Sequence, residues 1–159
     1  MGIYFVDEYD RQLDERGRII LPAKVREKIS QTVFITQSPT DKCLQIYTEE
    51  EWGTISDKLR DLPVTTDPNA RAFVRLFFGT AASSEVDKQG RILLNKNHID
   101  FAGLVKDIVL VGANTKLEIW DKALWDKYNE GISTDIIIEG LSKYNLTIWV
   151  GVKDESYGI

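Results

Sequence analysis

The sequence predicts an α+β fold, mainly β, built from two tandem copies of one small strand-rich unit, and three observations predict it. Two segments read alike, Leu13-Asp14-Glu15-Arg16-Gly17-Arg18-Ile19-Ile20-Leu21 and Val86-Asp87-Lys88-Gln89-Gly90-Arg91-Ile92-Leu93-Leu94. Their offset is 73 residues, the distance from Asp14 to Asp87. That offset also maps Ile35 onto Ile108, Leu44 onto Leu117, Ile46 onto Ile119 and Trp52 onto Trp125 without a gap. Within each copy, short alternating or apolar runs are separated by turn residues, the signature of brief strands.

The elements follow in order. Tyr9-Asp10-Arg11-Gln12-Leu13 alternates like a half-exposed strand. Asp14 and Gly17 then bracket a tight turn, because Asp can accept from backbone N–H groups ahead of it and Gly can take positive φ. Asp87 and Gly90 do the same in the second copy. Arg18-Ile19-Ile20-Leu21 reads as the second arm of a hairpin, and Pro22 suits the first turn of a short helix with Val25 and Ile29 on one face. Val33 to Thr36 and Leu44 to Tyr47 are strands around the turn Ser38-Pro39-Thr40-Asp41. Their equivalents are Ile108 to Val111 and Leu117 to Trp120, joined through Gly112-Ala113-Asn114.

Each copy ends in a helix. Thr48-Glu49-Glu50-Glu51 is a capping box, followed by the apolar stripe Trp52, Ile55, Leu59 and Leu62 before Pro63. Asp121 opens the matching helix, with Leu124, Trp125 and Tyr128 expected inward. Between the copies, Asp67-Pro68 starts a linking helix that Gly79 can end. The expected organisation is a first unit over residues 3–62, a linker helix over 63–81, a second unit over 82–128 and an extension over 129–159. Units this small struggle to bury their own apolar faces, so intertwining with another copy, in the same chain or another, and an oligomer are expected.

Composition narrows the function. The chain has 159 residues, 43% hydrophobic and 28% charged, with one Cys and one His. These numbers describe an ordinary globular chain and leave no disulfide framework and no Cys/His zinc site. Cys43 as a lone thiol suits a reducing cytosol. No run approaches the length of a membrane span, and Met1-Gly2-Ile3-Tyr4-Phe5-Val6-Asp7-Glu8 lacks the basic start of a signal peptide. Val6 also stands where a myristoylation pattern wants Ser or Thr. The protein is therefore expected in the cytoplasm, without a membrane partner. His98 is expected at a surface or helix edge rather than as a catalytic base, and no phosphate-cradling glycine motif occurs. Glu49-Glu50-Glu51 complements a helix dipole. An enzyme is not expected, nor a cofactor, a metal or a small-molecule substrate.

Charge points elsewhere. Residues 11–28 hold Arg11, Arg16, Arg18, Lys24, Arg26 and Lys28 against Asp14, Glu15 and Glu27, a net of +3, in a chain of net −5. Arg16 and Arg18 flank a turn glycine, and Pro22-Ala23 starts a helix whose N–H groups can meet phosphate. A two-stranded ribbon fits the DNA major groove, and Arg can bond bidentately to guanine. The acidic remainder would turn the other faces away from DNA, and several hairpins acting together would supply affinity.

These motifs, with Leu21-Pro22-Ala23-Lys24-Val25-Arg26, Cys43-Leu44 through Tyr47, Glu51-Trp52, Ala70-Arg71-Ala72-Phe73-Val74-Arg75, Phe77-Phe78 and Glu118-Ile119-Trp120-Asp121, carry a family resemblance. The chain resembles MraZ, the bacterial regulator of two tandem SpoVT/AbrB-like units, over residues 3–128. The resemblance implies AbrB-like swapped-hairpin β units, ring-like homo-oligomers, and nucleoid-associated, sequence-specific binding of double-stranded DNA. It further implies short direct repeats as targets, in the promoter of the protein's own cell division and cell wall gene cluster, which it represses. By matching, Arg18 and Arg91 are the motif arginines, and Arg16 holds the basic position before Gly17.

At the 73-residue offset Arg11 becomes Ser84, Arg16 becomes Gln89, Lys24 becomes Asn97 and Arg26 becomes Ile99, while Lys88 and Lys96 are new basic residues. The first copy is thus expected to read DNA and the second mainly to complete the fold. Arg91 has two readings, as a DNA contact or paired with a turn carboxylate. The candidate DNA-binding residues are Arg11, Arg16, Arg18, Lys24, Arg26, Lys88 and Arg91. Beyond residue 128, Tyr144, Leu146, Ile148, Val150 and Val152 alternate like a strand in an acidic tail. That tail keeps a second reading open, an AbrB-type antitoxin or interaction module that binds a partner through it.

Overall fold

The computed structural model describes residues 2–144. Along them run β1 (Glu8–Gln12), β2 (Arg18–Ile20), α1 (Ala23–Arg26), β3 (Thr32–Gln37), β4 (Leu44–Thr48), α2 (Glu49–Leu59) and α3 (Pro68–Gly79). Then come β5 (Ala82–Glu85), β6 (Arg91–Leu93), α4 (Lys96–Ala102), β7 (Asp107–Gly112), β8 (Leu117–Asp121), α5 (Lys122–Glu130) and α6 (Thr134–Lys143). The class is α+β and mainly β, with every ladder antiparallel. The chain separates into two compact units, Met1–Ala123 and Leu124–Ile159.

The strands of both repeats lie in the first unit, interlocked. Six strands form one sheet in the order β1-β7-β8-β4-β3-β5, and β2 pairs with β6 in a separate ribbon. The 73-residue offset equates β1 with β5, β2 with β6, β3 with β7 and β4 with β8. The sheet therefore reads the same from either edge, and each repeat's first strand pairs with the other repeat's third. This corrects one expectation. Leu13 to Leu21 makes the turn, but β1 and β2 do not pair as a hairpin. Instead β1 pairs with β7 and β2 with β6. The intertwining that small size demanded is supplied within one chain.

Period-2 alternation places the core between sheet and ribbon. Ile19 and Leu21 from one repeat and Ile92 and Leu94 from the other face Val33, Ile35, Leu44, Ile46, Ile108, Leu110, Leu117 and Ile119. Every residue of the central strand β4 is buried. Its polar Gln45 is satisfied by accepting from the Tyr47 hydroxyl at 2.8 Å.

Thr48 caps α2 by accepting from the Glu51 amide, as the capping box requires. Trp52 stacks on Phe34 and Phe77 with centroids 5.2 Å from each. Helix α3 ties the repeats together. The Phe77 carbonyl accepts from the Thr36 hydroxyl at 2.5 Å in the first repeat, and the Thr80 carbonyl at its C-cap bonds His98 Nε2 at 2.6 Å in the second. His98 is thus a correction: it lies buried, not at the surface. Asn95 caps α4 by accepting from the His98 amide, which seats the ring inward under α3.

Two further expectations change. Leu124 and Tyr128 are exposed, not inward, and Trp125 stacks on Tyr128 at 6.0 Å. Thr134–Lys143 is a helix capped by Ser133, with Tyr144 at its C-cap rather than in a strand. The remaining positions of that alternating run lie outside the described residues.

Candidate nucleic-acid interface

Both repeat turns are built alike. Asp14 Oδ1 accepts from the amides of Arg16 at 2.9 Å and Arg18 at 2.8 Å, while Gly17 N donates to the Asp14 carbonyl at 3.0 Å. Asp87 does the same with Gln89, Arg91 and Gly90. Gly17 and Gly90 sit at φ 82° and 80°, the left-handed region where a side chain is strained. Each carboxylate keeps its second oxygen for the motif arginine: Arg18 Nε reaches Asp14 Oδ2 at 2.8 Å, and Arg91 Nε reaches Asp87 Oδ2 at 2.8 Å.

Backbone N–H donors first, then the guanidinium, hold both carboxyls below the ordinary 3.8. The turns therefore keep their charge at any pH above that value and loosen only as pH falls below it. The arginines are pinned, not buried. Their side chains stay 26% and 27% exposed, and among the described residues the two terminal nitrogens of Arg18 bond nothing. An arginine held by its Nε with its far edge open is preorganised for a bidentate acceptor.

The ribbon distributes these turns to its two ends. Leu94 N donates to the Gly17 carbonyl and Leu21 N to the Gly90 carbonyl, each at 2.8 Å. The first repeat's turn consequently sits at the second repeat's helix α4, with Ile99 against Gly17. The second repeat's turn sits at α1, with the Arg26 guanidinium laid across Gly90. Lys24, Arg26, Lys88 and Arg91 thereby share one end, while Arg16 and Arg18 occupy the other. Sequence order alone had grouped the basic residues by repeat; the strand exchange regroups them by ribbon end. Arg16, Lys24, Arg26 and Lys88 are exposed.

Arg11 stands apart. Its Nε donates to the Ile20 carbonyl at 3.0 Å and its Nη1 to the Asp10 carbonyl at 2.8 Å. Ser84, its counterpart, accepts from the Leu93 amide at 3.2 Å. Both side chains tie a first strand to a ribbon strand where no ladder forms, which explains how Ser can replace Arg there. Lys96 pairs with Asp100 at 2.6 Å, and Lys28 donates to the Tyr4 carbonyl at 2.9 Å.

Other chemistry is sparse. Cys43 is buried, and desolvation ahead of the Glu118 charge pushes its thiol up to about 12, so it is not a thiolate at neutral pH. No metal-binding group of His, Cys, Asp or Glu occurs among the described residues. No helix among them is long and apolar enough to cross a membrane.

Comparison with known proteins matches this sequence to one family. The family model described as "MraZ protein, putative antitoxin-like" matches twice, over residues 4–76 and 77–139. The chain is 44% identical over 140 residues to "Transcriptional regulator MraZ" of Acetivibrio thermocellus, covering 87% of this chain and 96% of that protein. It is 41% identical over 143 residues to the protein of the same name from Clostridium acetobutylicum, covering 89% and 99%. With that from Desulfitobacterium hafniense it shares 48% over 125 residues, covering 79% and 86%. The tandem matches meet near the end of α3, where the exchanged repeats are joined, and the chain belongs to the MraZ family.

Proposed function

We propose that this protein is a transcriptional regulator that binds double-stranded DNA sequence-specifically through the turns and ribbon of its two repeats. The single observation that carries the reading is the pair of Asp-pinned, outward-facing arginines, Arg18 and Arg91, on a two-stranded ribbon. A ribbon of that width enters the major groove, where Arg reads guanine. Arg16, Lys24, Arg26 and Lys88 supply phosphate contacts at the ribbon ends. One ribbon makes few such contacts, so a ring-like homo-oligomer engaging short direct repeats provides the affinity. Following the family resemblance, the target is the promoter of the chain's own cell division and cell wall gene cluster, with repression as the effect, in the cytoplasm at the nucleoid.

Arg18→Ala is expected to abolish the specific gel shift of the chain's own upstream region while the oligomer persists. Wild-type binding should weaken by orders of magnitude between low and moderate salt, as released counterions dictate. A wild-type-level shift by the variant, or a flat salt response, overturns the reading.

A second reading has one observation behind it. Helix α6 exposes Ile136, Ile137 and Ile138, and the family description is antitoxin-like. Copurification of a small basic protein with the intact chain, lost when these three residues are made polar, would favour a partner-binding module.

A further inference from the structure

We infer that the outward face of the β2–β6 ribbon reads thymine methyl groups through Ile20 and Leu93. The inference deepens the DNA-binding reading and rests on it.

Each ribbon strand has three residues, and its middle one, Ile19 or Ile92, is buried in the core. The flanking residues therefore point outward, Arg18 with Ile20 on one strand and Arg91 with Leu93 on the other. A solvated strand face is ordinarily polar. Here Ile20 is 50% exposed and Leu93 57% exposed. The pairing register sets Arg18 opposite Leu93 and Ile20 opposite Arg91. The outer face is thus a two-by-two checkerboard, arginines on one diagonal and aliphatic residues on the other.

The repeats diverge around this quartet but not in it. Arg16, Lys24 and Arg26 have no basic counterpart at the 73-residue offset, whereas Arg18 and Ile20 meet Arg91 and Leu93. Two aliphatic residues set on the arginines' own face suit a partner that offers an apolar group beside hydrogen-bond acceptors. The major groove offers one such group, the thymine 5-methyl, beside the guanine acceptors that arginine takes. Diagonal neighbours across an antiparallel pair lie about 7–8 Å apart. With base steps of roughly 3.4 Å, that is about two steps.

Charge selects the occupant. Exposed Arg16 lies at one end of this face, and exposed Lys24, Arg26 and Lys88 at the other, with Glu15 and Glu27 interspersed. A second copy of the same face would set cations against cations; a duplex neutralises them.

The probe is the duplex that wild-type protein selects from a random-sequence pool, with each thymine replaced in turn by deoxyuridine, which removes only the methyl. At two positions about two steps apart the wild type should lose about fourfold affinity each, the value of one buried carbon at about 0.8 kcal/mol. Ile20→Ala should erase the effect at one position and Leu93→Ala at the other, with the salt slope unchanged. Ile20→Val should keep most of it. Wild-type binding indifferent to every deoxyuridine overturns the inference and leaves the regulator reading standing. Alanine variants that retain full methyl sensitivity also overturn it. So does an Ile20→Ala protein that falls apart into smaller species, which would make the face a contact between copies. Failure of the wild type to select any duplex overturns the regulator reading and this inference together.

Discussion

Gly90 shows how much one residue position is asked to do. It stands at φ 80°, and the Arg26 side chain occupies the space a Cβ would fill. Gly17 is its counterpart, but there a Cβ would meet the Leu94 carbonyl oxygen at 3.0 Å and Ile99 Cδ1 at 3.2 Å. A left-handed conformation costs a residue with a Cβ about 1–2 kcal/mol. Gly90→Ala should therefore destabilise by about 1–2 kcal/mol, since the flexible Arg26 can swing aside. Gly17→Ala should cost more, because backbone cannot. Chemical denaturation of both variants checks the ranking; equal or reversed losses would contradict it. The glycine roles were legible from the sequence, because Asp-x-x-Gly spacing specifies the turn by itself. His98 was not. Its burial depends on Asn95 seating it under α3, a contact between parts of the chain with no common local pattern.

Among the elements, β2 and β6 carry the most meaning for their length. Each is three residues long and neither pairs within its own repeat. The hairpin expectation failed here because alternation reveals which way side chains face but not which strand lies alongside. The turn was readable and the partner was not. Arg11 is the same lesson at an adjacent position. Its charge was legible in the sequence, while its tie to the Ile20 carbonyl was not. Helix α6 escaped the sequence reading because its Ile136-Ile137-Ile138 run has neither period clearly. The exchange also predicts how the parts behave alone. The excised first repeat, residues 4–76, leaves β1 without β7, β2 without β6 and β3 without β5. It should show no cooperative unfolding as a monomer by circular dichroism. A monomeric fragment with a sharp thermal transition would contradict the exchanged topology.

At the largest scale, the duplication matters because the strands of the two repeats form one unit with an internal two-fold pattern. Its two ribbon ends are chemically unequal. One gathers Lys24, Arg26, Lys88 and Arg91; the other has Arg16 and Arg18 beside Ile99. Each end is assembled from both repeats, so the basic residues of the first copy, which was expected to read DNA while the second mainly completes the fold, lie beside groups of the second. We propose that the end with Arg16 and Arg18 and the end with Arg91 dock the same groove through the ribbon between them.

That proposal turns on what arginine does and lysine cannot. Lysine keeps the positive charge but has neither the Nε that Asp14 holds nor the planar fork that reads guanine. The most direct measurement is competitive gel-shift binding by Arg18→Lys against wild type, on the selected duplex and on bulk DNA, across a salt series. Loss of preference for the selected duplex, with non-specific affinity and salt slope retained, is the predicted result. A variant that still discriminates as the wild type does would show that Arg18 acts as a charge alone, and would contradict recognition by carboxylate-pinned arginines.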